Sequence, residues 1–325
     1  MELITGENDK GRRLDRVLRK ALPDYPLPLL HRLLRQGRVL ADGKPAKAQD
    51  RLDCGVTVRI PPLKNTQKPA PPVSFKKKIA SPEVIWQGSG LLAVNKPPGI
   101  AVHGPVVHDR TVHRTDDKAN PYSLDEMVRS FLAGKLPPSL SFKPGPLHRL
   151  DKPSSGIVVF STNIEGAQLF SSLMRERKVK KTYLAIVEGS IQNEEIWQDE
   201  LVRDHEKKKT FVSQPASAQA AATKVATAKA ACEKTAITKV KPLANKGNYT
   251  LVTAEIATGR THQIRAQSAF HGHPLAGDKK YGGRGKDGLF LHAWKLEFLE
   301  YLIEAPPPQA FREKAREMFG GEPWQ

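Results

Sequence analysis

Cysteine is almost missing from this chain: of 325 residues, only Cys54 and Cys232 carry thiols. Neither belongs to a CxxC pair, so a zinc module and a disulfide framework both lack their ligands. Two free thiols in a reducing compartment are the expectation. Acidic residues are also scarce. There are 34 Asp and Glu against 52 Lys and Arg, a formal net charge of +18. Such a surface attracts polyanions, nucleic acid first and an anionic membrane second. Long apolar runs are absent as well. None approaches the ~18 residues that a membrane span needs, and the opening "MELITGENDKGRR" has no apolar signal core. No membrane association and a cytoplasmic location follow as expectations. No Gly-rich strand-to-helix turn offers to cradle a cofactor, which argues against a methyltransferase, and no cofactor is expected. No internal repeat stands out.

What is present divides the chain. Leu14, Val17, Leu18 and Leu22 fall at helical spacing, and Pro23, Pro26 and Pro28 break that helix. A second helix is predicted over 29–36, with leucines inward and His31, Arg32 and Arg35 outward, stopped by Gly37. Asp42-Gly43 marks a hairpin turn, and "GVTVRI" alternates like a strand. Residues 1–62 are therefore expected to form a small RNA-binding domain in which Arg32 and Arg35 meet phosphate. Residues 63–80, rich in Pro and Lys, are expected to be a stiff linker, and a large domain to occupy 81–325. Within it, 213–239 is biased toward Ala, Lys and Thr and is expected to be an insertion, whether a solvent helix, a floppy segment or a decorated hairpin. Strands are predicted on both sides of Gly88-Ser89-Gly90, at "GIVVFS", at "KTYLAIVEG" and at "YTLVTAEIATGR"; helices are predicted over 123–132, in "NIEGAQLFSSLMRERKVK" and in "THQIRAQSAFHG".

Two stretches have the residues for chemistry. In "PLHRLDKPSSGIVV", Asp151 stands between Arg149 and Lys152, on a turn expected over 153–156 just before an apolar strand. A carboxylate there is partly shielded, kept ionised by cations and aimed, which suits a nucleophile or a base. In "TGRTHQIRAQSAFHGHPLAGDKKYGG", Arg260, His262, Gln263 and Arg265 crowd one strand–helix corner. One arginine can face RNA while the other turns inward. His271 and His273 lack a third ligand beside them, so no metal is expected.

Taken together, "NKPPGIAVHG", "PLHRLDKPSSGIVV", "KTYLAIVEG" and the corner motif resemble, in order and spacing, the RluA-type RNA pseudouridine synthases over roughly residues 81–300. Residues 11–60 resemble the alpha-L RNA-binding module of a ribosomal small-subunit protein. The resemblance implies an α+β fold: a mixed, largely antiparallel sheet in the catalytic domain, preceded by a small α/β RNA-binding domain. It implies isomerisation of uridine in RNA to pseudouridine by base flipping, without a cofactor. Asp151 matches the catalytic aspartate, Arg149 the residue that enters the space left by the flipped base, Tyr183 the tyrosine that stacks on the uracil, and Arg265 the partner of the carboxylate. Arg260, His262 and Gln263 are expected on the RNA. Ala266-Gln267 stands where the family commonly has Val-His. Large-subunit ribosomal RNA is the expected substrate, transfer RNA the second, and a nonenzymatic RNA-binding protein the alternative of another class. A monomer is expected.

Overall fold

A computed structural model describes residues 1–63, 79–104, 122–213 and 234–324. Most of the expected linker, much of the expected insertion, and Cys232 lie outside the described residues. The elements run, in chain order, β1 (Glu2–Ile4), α1 (Leu14–Ala21), α2 (Leu27–Arg35), β2 (Leu40–Ala41), β3 (Lys44–Pro45), β4 (Thr57–Arg59), β5 (Glu83–Gly88), β6 (Leu91–Lys96), α3 (Leu124–Leu132), β7 (Gly145–Pro146) and β8 (Ser155–Ser161). They continue with α4 (Ile164–Arg175), β9 (Lys180–Glu188), β10 (Glu195–Asp204), β11 (Lys209–Val212), β12 (Lys234–Lys246), β13 (Tyr249–Ile256), α5 (Gln263–Phe270), β14 (Leu291–Phe298), β15 (Tyr301–Glu304) and α6 (Gln309–Phe319).

The first 60 residues enclose their own core. Leu14, Val17 and Leu18 of α1 pack on Leu30, Leu33 and Leu34 of α2 and on Val58 of β4. Beside them lies a four-stranded sheet in the order β1-β4-β2-β3. The β2–β3 hairpin turns through Asp42 (φ 48°) and Gly43 (φ 79°), the pair of left-handed residues that a tight hairpin needs. One expectation is corrected: α2 begins at Leu27 and contains Pro28 in its first turn. A proline there sacrifices no helical hydrogen bond, because the first-turn N–H has no intrahelical acceptor. Arg32 and Arg35 are exposed on the outer face of α2.

This unit is fastened to the rest of the chain through Asp9. Its buried carboxylate accepts from Ser139 Oγ (2.9 Å), Leu140 N (2.8 Å), Ser141 N (3.0 Å) and Ser141 Oγ (2.5 Å), as well as from Gly6 N (2.9 Å). Burial works against the charge, but these donors outweigh it and hold the carboxyl below the usual carboxylate range. Beside it, Asn8 Oδ1 accepts from Ile164 N at 2.9 Å, and Arg12 Nη1 donates to Ser141 Oγ at 2.6 Å.

Among the described residues the large sheet has 11 strands: β11-β10-β12-β13-β9-β14-β8-β6-β5, with β15 on β14 and β7 on β8. Each of these pairings is antiparallel except β14 with β8. Strands β6 and β8 are buried on both faces, hence their unbroken apolar runs. Leu92, Val94, Val158 and Phe160 feed one core; Leu91, Ala93, Ile157 and Val159 feed the other with Phe170 of α4. Ser123 caps α3 in a reciprocal box with Glu126, and Asn163 caps α4. The expected insertion is shorter than 213–239, because residues 234–239 open β12, which pairs with both β10 and β13. Its alternating positions Ala236, Thr238 and Val240 are buried.

Candidate active site

The parallel pairing of β14 and β8 builds the site. Gly156 of β8 pairs with Ala293 of β14, Ala293 with Tyr183 of β9, and Tyr183 with Ala254 of β13. One row across the sheet thus links the segment after Asp151, the strand of Tyr183 and the strand that leads into α5. Gly156 makes this possible. It has φ 110°, and a Cβ there would sit 2.2 Å from Ala293 O. The bend itself is at Lys152 and Pro153, so Gly156 belongs to the strand rather than to the turn expected over 153–156.

Around the bend, the ammonium of Lys96 is fully buried and donates to Pro97 O (2.9 Å), Ile100 O (2.9 Å) and Lys152 O (3.2 Å). Gly99 N also donates to Lys152 O at 2.8 Å. The loop after β6 is thereby tied to the residue following Asp151. Burial pushes Lys96 down to about 7, opposed by the Asp151 charge, while the three carbonyls match the three hydrogens of an ammonium.

Asp151 is 17% exposed and lines a small cavity with Arg149, Tyr183, Arg260, His262 and Arg265. Arg265 Nη1 donates to Asp151 Oδ2 at 2.9 Å, across 114 residues of sequence. The same guanidinium grips Asp278 from its other edge, Nε to Oδ2 at 2.7 Å and Nη2 to Oδ1 at 2.8 Å. Burial alone would weaken the Arg265 charge; the two carboxylates reverse this and raise its pKa above the ordinary arginine value. Of the two expected arginines, one does turn inward, Arg265. Arg260 stays half-buried at the cavity with Nε on Thr235 O at 3.3 Å. Arg149 is exposed at the cavity rim.

His262 takes a left-handed conformation (φ 55°) at the start of α5. Its Nε2 lies 3.6 Å from Asp151 Oδ2, and its Nδ1 lies 2.8 Å from Tyr281 Oη. Burial pushes His262 down to about 4, against the pull of Asp151. Tyr281 Oη already accepts from Thr210 N at 2.9 Å. Tyr183 is 8% exposed. Burial, helped by the Asp151 charge, raises its phenol well above the ordinary tyrosine range.

Gln263 is corrected. Its amide donates to Ile237 O (3.0 Å) and Thr238 Oγ1 (2.9 Å), and accepts from Thr258 Oγ1 (2.8 Å) and Arg260 N (3.1 Å). All four positions of the amide are used internally, so it braces the corner and has none left for RNA. Gln267, one turn further, is fully buried and accepts from the same Thr238 at 2.6 Å while donating to Asp199 Oδ2 at 2.6 Å. That is what the chain does at the departure from Val-His: it fastens α5 to β10 and β12. His271 and His273 are engaged separately, the first with Asp199 Oδ2 (3.1 Å) and stacked on Trp197, the second with Glu188 O (3.0 Å).

A family model described as RNA pseudouridylate synthase matches residues 90–270, more than half of the chain, including Asp151, Tyr183 and Arg265. The chain belongs to the RNA pseudouridylate synthase family. It is an RNA pseudouridine synthase, and RNA is its substrate. The ribosomal large subunit pseudouridine synthase C of Vibrio cholerae is 31% identical over 312 residues, covering 92% of this chain and 88% of that one. The protein of the same name from Escherichia coli (strain K12) is 30% identical over 326 residues, covering 94% and 92%. A solved structure, human RNA pseudouridylate synthase domain containing 4, superposes with a TM-score of 0.54 at 22% identity, over 72% of this chain and 92% of that one. At that identity the likeness concerns the fold, and the mixed, mostly antiparallel sheet agrees with it.

Three residues at the candidate site have little signal in the sequence: Asp278, Tyr281 and Lys96. The first two stand in "GDKKYGG", whose polar residues invite a loop assignment. The third stands in "NKPPG", whose prolines mark a turn and say nothing of what holds it. A buried-strand position filled by lysine was the available signal for Lys96, since an unpaired ammonium there is costly.

Proposed function

We propose that this synthase forms pseudouridine in large-subunit ribosomal RNA, with Asp151 as the group that opens the glycosidic bond. The observation that carries the assignment is the Arg265–Asp151 pair inside a cavity walled by Tyr183 and rimmed by Arg149. The names of the relatives support the ribosomal target. Oδ2 of Asp151 receives Arg265, which leaves Oδ1 for the substrate. Two routes fit. In one, Oδ1 attacks C1′ of the ribose as the N1–C1′ bond breaks and its electron pair passes to uracil, as in a retaining glycosidase. The uracil turns, C5 attacks C1′, and the carboxylate leaves. In the other, Asp151 takes the C2′ proton, a glycal forms as uracil departs, and the proton returns to C2′ after C5 joins C1′. Both end with loss of the C5 proton and gain of a proton at N1.

The remaining roles follow the chemistry of each group. Tyr183, held as a neutral phenol, stacks on the detached uracil. Arg149 fills the gap in the helix left by the flipped nucleotide. Arg260 and His262 contact RNA at the corner of α5. The cavity is about 70 Å3, and Arg149 stands at its rim, where the uridine enters. Residues 1–62 act as an RNA-binding module through Arg32 and Arg35, and the protein works as a cytoplasmic monomer.

Asp151→Asn keeps the side chain's size and removes the reactive oxygen. RNA carrying tritium at C5 of uracil loses it only when C5 is joined to the sugar. The variant is expected to release none while binding RNA at least as tightly as wild type. Tritium release near the wild-type rate would defeat the assignment of Asp151. Mapping pseudouridine in ribosomal and transfer RNA from cells with and without the protein tests the target.

A further inference from the structure

A second concave feature lies far from the uridine cavity. Its volume is about 810 Å3, and it separates α1 of the N-terminal unit from α4 of the large one. One wall bears Lys10, Arg16, Lys20 and Arg51; the other bears Lys143 and, at the end of α4, Arg175. All six are exposed, and among the described lining residues the one carboxylate is Glu165. Among the described residues, Arg16, Lys20, Lys143 and Arg175 make no ion pair. Positive charges facing each other across a gap repel, so an unfilled trench of this kind costs stability unless an anion enters it.

The geometry suits a chain-like anion. Ile164, Gln168, Ser171 and Arg175 line the trench at the spacing of one helix face, so it follows α4 for about 16 Å at 1.5 Å per residue. A stacked nucleic-acid strand carries a phosphate about every 3.4 Å of axis, so the trench spans roughly four or five of them. Its walls are held at a fixed separation. The buried Asp9 bonds to Ser139–Ser141, and Asn8 caps the amide of Ile164 at the start of α4. The trench also has a fixed place relative to the chemistry. Strand β8 joins the two: Ser154, just before it, lines the uridine cavity, and Ser161, its last residue, lines the trench. At ~3.3 Å per residue the two sites stand about 20 Å apart.

We propose that this trench is a second RNA-backbone site, shared between the N-terminal unit and the catalytic body, which grips the strand about 20 Å from the flipped uridine. It rests on RNA being the substrate, and it differs from the Arg32–Arg35 face in requiring residues of both units. Because Asp9 locks the walls, the trench acts as a ruler: an RNA must continue past its target uridine far enough to reach it.

The test uses the full chain and two labelled RNA hairpins, each with one unpaired uridine, with stems of about four and about fourteen base pairs. The backbone contribution is independent of sequence, so no natural target is needed. Wild type is expected to bind the long hairpin about tenfold tighter and with a steeper salt dependence. In Lys143→Gln/Arg175→Gln, both exposed and both outside the N-terminal unit, that advantage is expected to vanish and the slope of log K against log salt to fall by about 1.5. Arg16→Gln/Lys20→Gln should behave alike. Retention of the long-hairpin advantage in Lys143→Gln/Arg175→Gln would overturn the proposal. So would a wild-type protein that binds both hairpins equally; one that binds neither would instead count against RNA binding as such.

Discussion

Arg265 is held on Asp278 by two hydrogen bonds, of 2.7 and 2.8 Å, and spends its remaining terminal nitrogen on Asp151. The arginine is therefore aimed by one carboxylate at another. Asp278 is 2% exposed, and both of its carboxylate oxygens are taken up by the guanidinium. A planar fork is the side chain that can serve both partners at once.

Arg265→Ala is accordingly expected to do two things: to abolish tritium release, and to destabilise the fold by about 3–5 kcal/mol, because it strands a buried carboxylate. Adding Asp278→Ala should restore much of the lost stability without restoring turnover. Calorimetry and the release assay separate the two effects. Recovery of activity along with stability would mean that Arg265 acts only as a brace. Arg265→Lys should keep part of the stability and little of the rate.

Asp278→Asn alone should leave RNA affinity within about twofold while lowering kcat by about tenfold or more, since a mispointed Arg265 affects a transition-state contact and not ground-state binding. A rise in KM with kcat unchanged would contradict this.

Arg149 is exposed at the cavity rim, where it can reach into a helix without touching the bond that breaks. Arg149→Ala should lower turnover on a uridine stacked within a stem by about 100-fold, and by much less on one already unpaired and unstacked. Equal losses on both substrates would argue against a flipping role.

Lys96→Met removes one ammonium from three carbonyls. Leaving buried acceptors unmet is expected to cost about 3 kcal/mol and to loosen the bend at Asp151, so kcat should fall together with Tm. Wild-type thermal stability in the variant would show that the loop carbonyls find other donors.

Burial pushes His148 down to about 3 and His292 to about 4, and His262 likewise to about 4 against the pull of Asp151. In the unfolded chain a histidine takes its proton near pH ~6.5. Between that pH and about 4 the unfolded state holds more protons than the folded one, so stability rises with pH across this window and is lost as pH falls through it. Tm should be lower at about pH 5 than at about pH 7.5. His148 Nε2 accepts from Val159 N at 3.1 Å; His148→Gln offers an acceptor in its place and should make that pH dependence shallower. An unchanged slope would remove His148 from the account.

Local structure was legible wherever neighbours in sequence decide it. Asp42-Gly43 and Ser89-Gly90 make hairpins because both positions tolerate φ above zero. Ser123 with Glu126 starts a helix because each satisfies the other's backbone amide. The placement of Asp151 before a buried strand follows from "GIVVF", which can be apolar throughout only if both faces are covered. Gln263 shows the limit of such reading: a polar residue in a basic motif looks solvent-facing until the strand it bonds to, β12, is in place.

The sequence by itself determined the charge that draws RNA, the hairpins and helix caps, and the motifs that mark the family. The family motif already marked Arg265 as the partner of Asp151; tertiary structure is what carries it there across 114 residues. Arg149 and Lys152 flank it in sequence, yet the bond comes from Arg265, because β14 slots in parallel beside β8 and brings β9, β13 and α5 to the same corner. It also decided that Asp9 would be a buried clasp between two units instead of one more surface acid. The physical reason is the same in both cases. A charged group's partner is set by distance through space and by what water is excluded, and neither quantity exists until strands far apart in the chain have paired.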